Sequence, residues 1–329
     1  MTMKLDTNTD LPQKYCISTI TCDSFAIGTE VLLYSVLKHN PWFRGDINIV
    51  IDALSAQNRE RLQAIYPVRF IQASAELIKK VDILRQHFDY LKDIHLRFYS
   101  LESFNLPHYD KVVYLDSDMY CAGDIKDLFL STAPLQACLD GFSYEERIAP
   151  VVAKAGLSLP TSQERYGKNF ENSYNAGVIA ITPAKLVNFD FQALLSMLDH
   201  DAWRSYGDSI FTDQMVINRY FEGTFAALSS EYNYMIFLGD YLHFVDGISW
   251  QQAKIIHFAG KIKPWNDYDQ QALLQKAPHY FPFIHQWREL LHEARSTDLA
   301  REQAQRVLRQ YEWICSGADH QLQTLSRLY

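Results

Sequence analysis

The chain has 329 residues, of which 21% are charged and 14% aromatic, and a net charge of −8. That size and composition suit a folded protein of one large domain, or a domain with an extension, and argue against a disordered chain; the acidic balance argues against a general nucleic-acid or anionic-membrane surface and leaves room for a local basic pocket. No signal-peptide segment or roughly 18-residue apolar span is visible, and five cysteines lack zinc-type spacing, so a soluble, reduced, cytoplasmic protein without a transmembrane segment is expected.

Strand-like and helix-like segments alternate from residue 16. Residues 16–21 (CISTIT) read as a strand and 26–39 as a helix closed by Asn40-Pro41; then come strand 46–51, helix 55–65 and strand 67–72. A helix over about 84–104 leads into a strand at 111–115. This order predicts an α/β fold with a mostly parallel half-sheet of nucleotide-binding type. Neither Gly-x-Gly-x-x-Gly nor a Walker loop is present. A phosphate bound here would have to be gripped by a metal and cationic side chains.

Residues 112–118, Val-Val-Tyr-Leu-Asp-Ser-Asp, carry the strongest chemical signal. The apolar run fits a buried parallel strand, and open α/β sheets bind ligands beyond the carboxyl ends of such strands. In extended backbone Asp116 and Asp118 point to one side and Ser117 to the other. Two adjacent anions repel unless a cation lies between them, and oxygen ligands favour a hard divalent ion such as Mg²⁺ or Mn²⁺. Taken alone, the motif also fits a solvated acidic turn.

Further along, 134–139 and 174–182 read as strands, 183–199 and 209–221 as helices, and 253–258 as a buried strand. That last strand delivers His257 into a loop with Gly260, Lys263 and Pro264-Trp265. Histidine is an acceptable Mn²⁺ ligand and fits Mg²⁺ less well. Gly260 permits close backbone approach to a phosphate, and Lys263 supplies a cation. A buried strand-end histidine beside an ordinary turn is the plainer alternative. Beyond Trp265 the chain turns helical and polar, with Ala304, Val307, Leu308, Tyr311 and Cys315 recurring on one helix face. A packed helix fits that charge-balanced stretch better than a basic membrane anchor.

Leu-Asp-Ser-Asp, Asn-Ala-Gly-Val (175–178), Asp-Gln (213–214) and His-Phe-Ala-Gly-x-x-Lys-Pro-Trp (257–265, with Ile262 inside) occur in order. Together they resemble glycosyltransferase family 8, which includes glycogenin, bacterial lipopolysaccharide galactosyl- and glucosyltransferases and galactinol synthase. The resemblance runs from about residue 15 to 265. It implies a GT-A fold, a mixed and mostly parallel sheet flanked by helices, over residues 1–265, with 266–329 as a helical C-terminal extension packed on it.

The resemblance also implies roles. Asp116, Asp118 and His257 would bind Mn²⁺ (Mg²⁺ as the second choice), which holds the diphosphate of a UDP-sugar, with Ser117 in the donor site and Gly260 and Lys263 on the phosphates. Thr21, Asp23 and Phe25 match the uridine pocket; Cys22 departs from the family's usual Asn or Asp. Arg97 matches a basic residue near the sugar, although alone it also fits a solvated helix arginine. Asn175 and Gly177 match the sugar-binding loop, and Asp213 and Gln214 the donor and catalytic loop.

The implied reaction is retaining transfer of a hexose from UDP-glucose or UDP-galactose to a saccharide or small-molecule hydroxyl, by front-face attack. A glycogenin-like self-glucosylating protein and a non-catalytic nucleotide-sugar binding protein are the alternatives, and a phosphohydrolase built on Asp-x-Asp a remoter one. The partners implied are the donor and the acceptor; a homodimer stays open.

Overall fold

The computed structural model describes residues 14–156, 158, 172–206 and 212–296. Its first half alternates as β1 (Tyr15–Thr21), α1 (Ala26–His39), β2 (Asp46–Ile51), α2 (Ala56–Ile65), β3 (Arg69–Gln72), α3 (Ala75–His87) and β4 (Lys111–Leu115). Ser55 and Ser74 start α2 and α3 by accepting the backbone N–H groups of Asn58 and Leu77. Further strands are β5 (Met119–Cys121), β6 (Leu135–Leu139), β7 (Tyr174–Ile181), β8 (Phe225–Ala227), β9 (Tyr234–Met235) and β10 (Ile255–His257).

Seven strands form the main sheet in the order β3-β2-β1-β4-β7-β6-β8. β1 pairs in parallel with both β2 and β4, and β7 runs antiparallel to β4 and β6. The sequence order of the parallel strands, β3-β2-β1 and then β4, reverses between β1 and β4, which opens a crevice beyond their carboxyl ends. Thr21 and Leu115 close those two strands, so the loops that follow them share this crevice. Alternate residues separate two cores. Val113, Leu115 and Val178 pack on one face with α1 and α2, whereas Val112, Tyr114 and Ile179 pack on the other with α3.

A second sheet, β5-β10-β9, grows from the end of the first. β10 pairs antiparallel with β5, setting His257 opposite Met119, and parallel with β9, setting His257 beside Met235. A helix over Phe281–Ala294 packs Phe283, Ile284, Trp287 and Leu290 into the core that contains α1. Among the described residues no helix is long and apolar enough to cross a membrane.

Three local expectations change. The helix expected over 84–104 is instead α3, ended at extended Phe88, followed by a tighter 3-10 winding from His95 to Phe104. Residues 98–104 are all buried, which leaves no 3.6-residue stripe; packing between the sheet and the helix Thr212–Tyr220 outweighs α-helical winding there. The helix expected over 183–199 breaks at Asn188, whose φ is 57°, and restarts at Phe191 under an Asp190 cap. Asp116 to Asp118 form the turn between β4 and β5 rather than extended strand. Ala304, Val307, Leu308, Tyr311 and Cys315 lie outside the described residues.

Candidate active site

The β4–β5 turn and the end of β10 bring Asp116, Asp118 and His257 together, with one ligand atom from each within 4.8 Å of the others. His257 Nε2 stands 3.2 Å from Asp118 Oδ1 and 3.7 Å from Asp116 Oδ2. Pairing explains the convergence: β5 begins one residue after Asp118 and carries Met119 opposite His257, and the Phe258 N–H donates to the Asp118 carbonyl at 3.0 Å. The histidine is buried, while Asp116 keeps 32% of its side chain exposed to the crevice.

The electrostatics suit a cation. Burial pushes the Asp116 carboxyl above the usual carboxylate range, and the neighbouring Asp118 charge adds to that. Burial acts on Asp118 in the same sense, but His257 and Lys263 outweigh it and hold Asp118 below that range. Lys263 Nζ donates to Asp118 Oδ2 and, at 2.7 Å, to the Phe258 carbonyl. Tyr114 Oη donates to Asp116 Oδ1 at 2.7 Å, leaving Oδ2 on the His257 side. Two carboxylates and an imidazole at this spacing fit an Mn²⁺-like ion, and Mg²⁺ less well.

From His257 a string of side-chain hydrogen bonds crosses the crevice floor. His257 Nδ1 meets Asn233 Oδ1 at 2.9 Å, and Asn233 Nδ2 donates to Asn175 Oδ1 at 2.8 Å. Asn175 Nδ2 donates to Gln214 Oε1 at 3.1 Å, and Gln214 Nε2 donates to Asp140 Oδ2 at 2.9 Å. Asp140 also caps the helix Gly141–Lys154 by accepting the N–H groups of Phe142 and Ser143. Gly177 lies where a Cβ would come within 2.6 Å of His257 Cε1. Asn175, Gly177, Gln214 and His257 are thus one connected group.

Asp213, next to Gln214 in the chain, is held by other partners and adds its charge to the field at Asp116. Its carboxylate accepts from Ser100 Oγ at 2.7 Å and Thr212 Oγ1 at 2.9 Å. Burial raises its pKa, opposed by those hydroxyls and by the exposed Arg97. Ser117 is buried, and its carbonyl oxygen would be 2.5 Å from a Cβ on Gly28 of α1. Gly260 holds φ at 95°, a conformation that favours glycine, on the open side of the loop.

The loop after β1 is held more firmly than the sequence indicates. Thr29 Oγ1 donates to Thr21 Oγ1 at 2.7 Å. Asp23 accepts from the Ser55 N–H at 2.9 Å and Asn58 Nδ2 at 2.8 Å, so its carboxylate ties this loop to the start of α2. Phe25 packs edge-on against Trp265 with centroids 5.3 Å apart. Trp265 also lies over Gly28 and 5.8 Å from Trp287. The two ends of the motif set therefore touch.

Sequence reasoning missed Asn233, Asp140, Tyr114 and Gly28. Asp140 carried a usable signal, since the run Leu-Gln-Ala-Cys-Leu-Asp ends an apolar strand in a carboxylate just as β4 does. Asn233 stands as a lone amide in the run Tyr-Asn-Tyr-Met-Ile-Phe-Leu, which hints at a buried polar contact without naming its partner.

A doubly flanked α/β sheet with a two-carboxylate turn at its order-reversal point is the architecture of GT-A glycosyltransferases. The family model described as glycosyl transferase family 8 matches residues 16–269, and the chain belongs to that family. Glycosyltransferase GlyF of Streptococcus pneumoniae serotype 4 is 24% identical over 255 residues, covering 75% of this chain and 56% of GlyF. Galactinol synthase 4 of Arabidopsis thaliana is 23% identical over 189 residues, covering 55% of this chain and 54% of that enzyme. The chain thus spans little more than half the length of these relatives. Among solved structures, the galactosyltransferase LgtC in complex with donor and acceptor sugar analogs matches with a TM-score of 0.58 at 21% identity, over 84% of this chain and 95% of LgtC. The bifunctional glycosyltransferase WbbM matches with a TM-score of 0.59 at 19% identity, over 91% of this chain and 52% of WbbM. At these identities the structural likeness speaks for the fold.

Proposed function

We propose that this chain transfers a hexosyl group, with retention, from UDP-glucose or UDP-galactose to the hydroxyl of a saccharide or small molecule. The observation that carries the reading is the meeting of Asp116, Asp118 and His257 at the sheet's order-reversal crevice, with Lys263 beside them. Those three residues would hold Mn²⁺, which when bound supplies Lewis-acid stabilisation of charge on the departing diphosphate.

Lys263 and the backbone at Gly260 are assigned to the phosphates, and Thr21, Asp23 and Phe25 to the uridine. Asn175, Gly177, Asp213 and Arg97 are assigned to the hexose. The Gln214 carbonyl already accepts from Asn175 Nδ2 at 3.1 Å and from the Ala176 N–H at 3.4 Å, so it is a poor nucleophile. That favours direct front-face attack: the acceptor oxygen bonds to the anomeric carbon as the sugar–phosphate bond breaks, and the acceptor proton passes to the leaving phosphate. Gln214 then stabilises the positive charge that develops on the sugar ring. We assign residues 1–265 to the catalytic domain and 266–329 to a supporting extension.

The test is UDP release from each UDP-hexose with Mn²⁺ over an acceptor panel, read together with intact protein mass. Mn²⁺-dependent release by the wild type, abolished in Asp118→Asn with the fold intact, is the expected result. A ladder of hexose masses on the protein itself would identify it as its own acceptor. Absence of binding to any UDP-sugar with Mn²⁺ present would remove the proposal.

A further inference from the structure

We infer that Asn233 is a positioning residue that sets which nitrogen of His257 faces the cation site; the inference rests on the metal reading given above. The hydrogen-bond string is anchored at a backbone group whose polarity cannot change. The Gly177 N–H can only donate, and it points at Asn175 from 2.9 Å, so the atom it meets is the Asn175 carbonyl oxygen. That same oxygen lies 2.8 Å from Asn233, which must therefore present its NH₂ group there. The Asn233 oxygen is left facing His257 Nδ1 at 2.9 Å. An amide oxygen only accepts, so Nδ1 carries the proton and the Nε2 lone pair is directed at Asp116 and Asp118.

The opposite end of the string is pinned in the same way. The Ala176 N–H donates to Gln214 Oε1 at 3.4 Å, and the Asp140 carboxylate accepts from Gln214 Nε2 at 2.9 Å. No amide between His257 and Asp140 can flip without setting donor against donor or acceptor against acceptor. Asn233 and His257 are both buried, so water offers no replacement partner. Without Asn233, a neutral imidazole beside two carboxylates would place its single proton on Nε2, where Asp118 Oδ1 waits at 3.2 Å, and that proton blocks coordination. A partner on the far nitrogen that fixes the metal-binding tautomer commonly changes metal affinity by about 10–100-fold.

The experiment uses the full chain with ¹⁵N-labelled histidine. In the metal-free wild type, at a pH well above the histidine range, the ¹⁵N spectrum should show His257 protonated at Nδ1. Asn233→Ala should move that proton to Nε2 and weaken Mn²⁺ binding, measured by calorimetry with Mn²⁺ alone, by about tenfold or more. Asn233→Asp keeps an oxygen acceptor for Nδ1 but sets its second oxygen against Asn175 Oδ1, so it should restore the Nδ1–H tautomer while regaining only part of the Mn²⁺ affinity. A wild-type His257 protonated at Nε2 overturns the inference without any variant. So does unchanged Mn²⁺ affinity in Asn233→Ala, or an Asn233→Asp whose His257 carries its proton on Nε2. A wild type that binds no Mn²⁺, with or without UDP, removes the metal reading itself and this inference with it.

Discussion

A Cβ built on Gly177 would stand 2.6 Å from His257 Cε1, 2.8 Å from Met119 Cε and 2.9 Å from Asn175 Oδ1. The imidazole is enclosed on every side and cannot retreat without breaking its contact with Asn233. Gly177→Ala should therefore weaken Mn²⁺ binding by about tenfold or more, an effect of the size seen when a ligand's supporting contacts are lost. Calorimetry on the folded variant checks this, and wild-type affinity would show that the ring tolerates the displacement. Gln214 tests a different property. If it meets charge that develops only during transfer, Gln214→Ala should cut turnover by about 10²-fold while donor affinity changes little. Steady-state rates and UDP-sugar binding measured on one preparation separate the two, and equal losses would reassign Gln214 to donor binding. Of the site's side chains, Asp116, Asp118 and His257 stood out in the sequence at the ends of apolar runs, and the ordered motifs of the family joined them into one ligand set. Asn233 was not, since a single amide in an apolar segment gives no clue to a partner 24 residues away.

Strand β4 shows what a buried charge costs an element. Its first residue, Lys111, is buried, and among the described residues its Nζ donates to two neutral oxygens, the Ser131 carbonyl at 2.9 Å and Thr182 Oγ1 at 2.8 Å. Burial, with Lys185 adding like-charge repulsion, pushes its pKa down from 10.5 to about 8. The unfolded chain thus binds this proton more tightly than the folded one, and the penalty on folding is full below about 8. As the pH rises from there towards 10.5 the penalty fades, so folding stability gains with pH across that window. Lys111→Met removes the titration. Urea unfolding should find the variant ahead of the wild type at neutral pH, with the gap shrinking as the pH rises. A gap that stays constant with pH would refute the account. Sequence pattern revealed β4 readily, along with β1, β2 and α1, through apolar-rich runs bounded by turn signals such as Asn40-Pro41. It failed at residues 95–104, where consecutive burial on both sides of a tight 3-10 winding erases any period.

At the scale of the whole molecule, the late helix is bound to the first one by a two-pronged ion pair. Arg295 Nε and Nη2 each lie 3.0 Å from an oxygen of Glu30, whose side chain is buried within α1. Arg295→Ala leaves that carboxylate without its fork and should lower unfolding free energy by about 1–3 kcal/mol, measured by chemical denaturation. An unchanged midpoint would mean that the helix is held by its other contacts, the apolar neighbours of Trp287 and the bonds that Tyr34 and Lys38 make to Glu293. The alternation of strands and helices disclosed the overall architecture, whereas this long-range clasp joins residues 265 positions apart and left no local trace.

The same helix reaches the donor crevice through one indole. Trp287 leans on Trp265, which roofs Gly28 and abuts Phe25 in the loop assigned to the nucleoside. The late helix is therefore a buttress for the proposed base-binding wall as much as a part of the core. Trimming the molecule from its carboxyl end past Trp287 would slacken that wall, and the first casualty would be the nucleobase grip proposed for it.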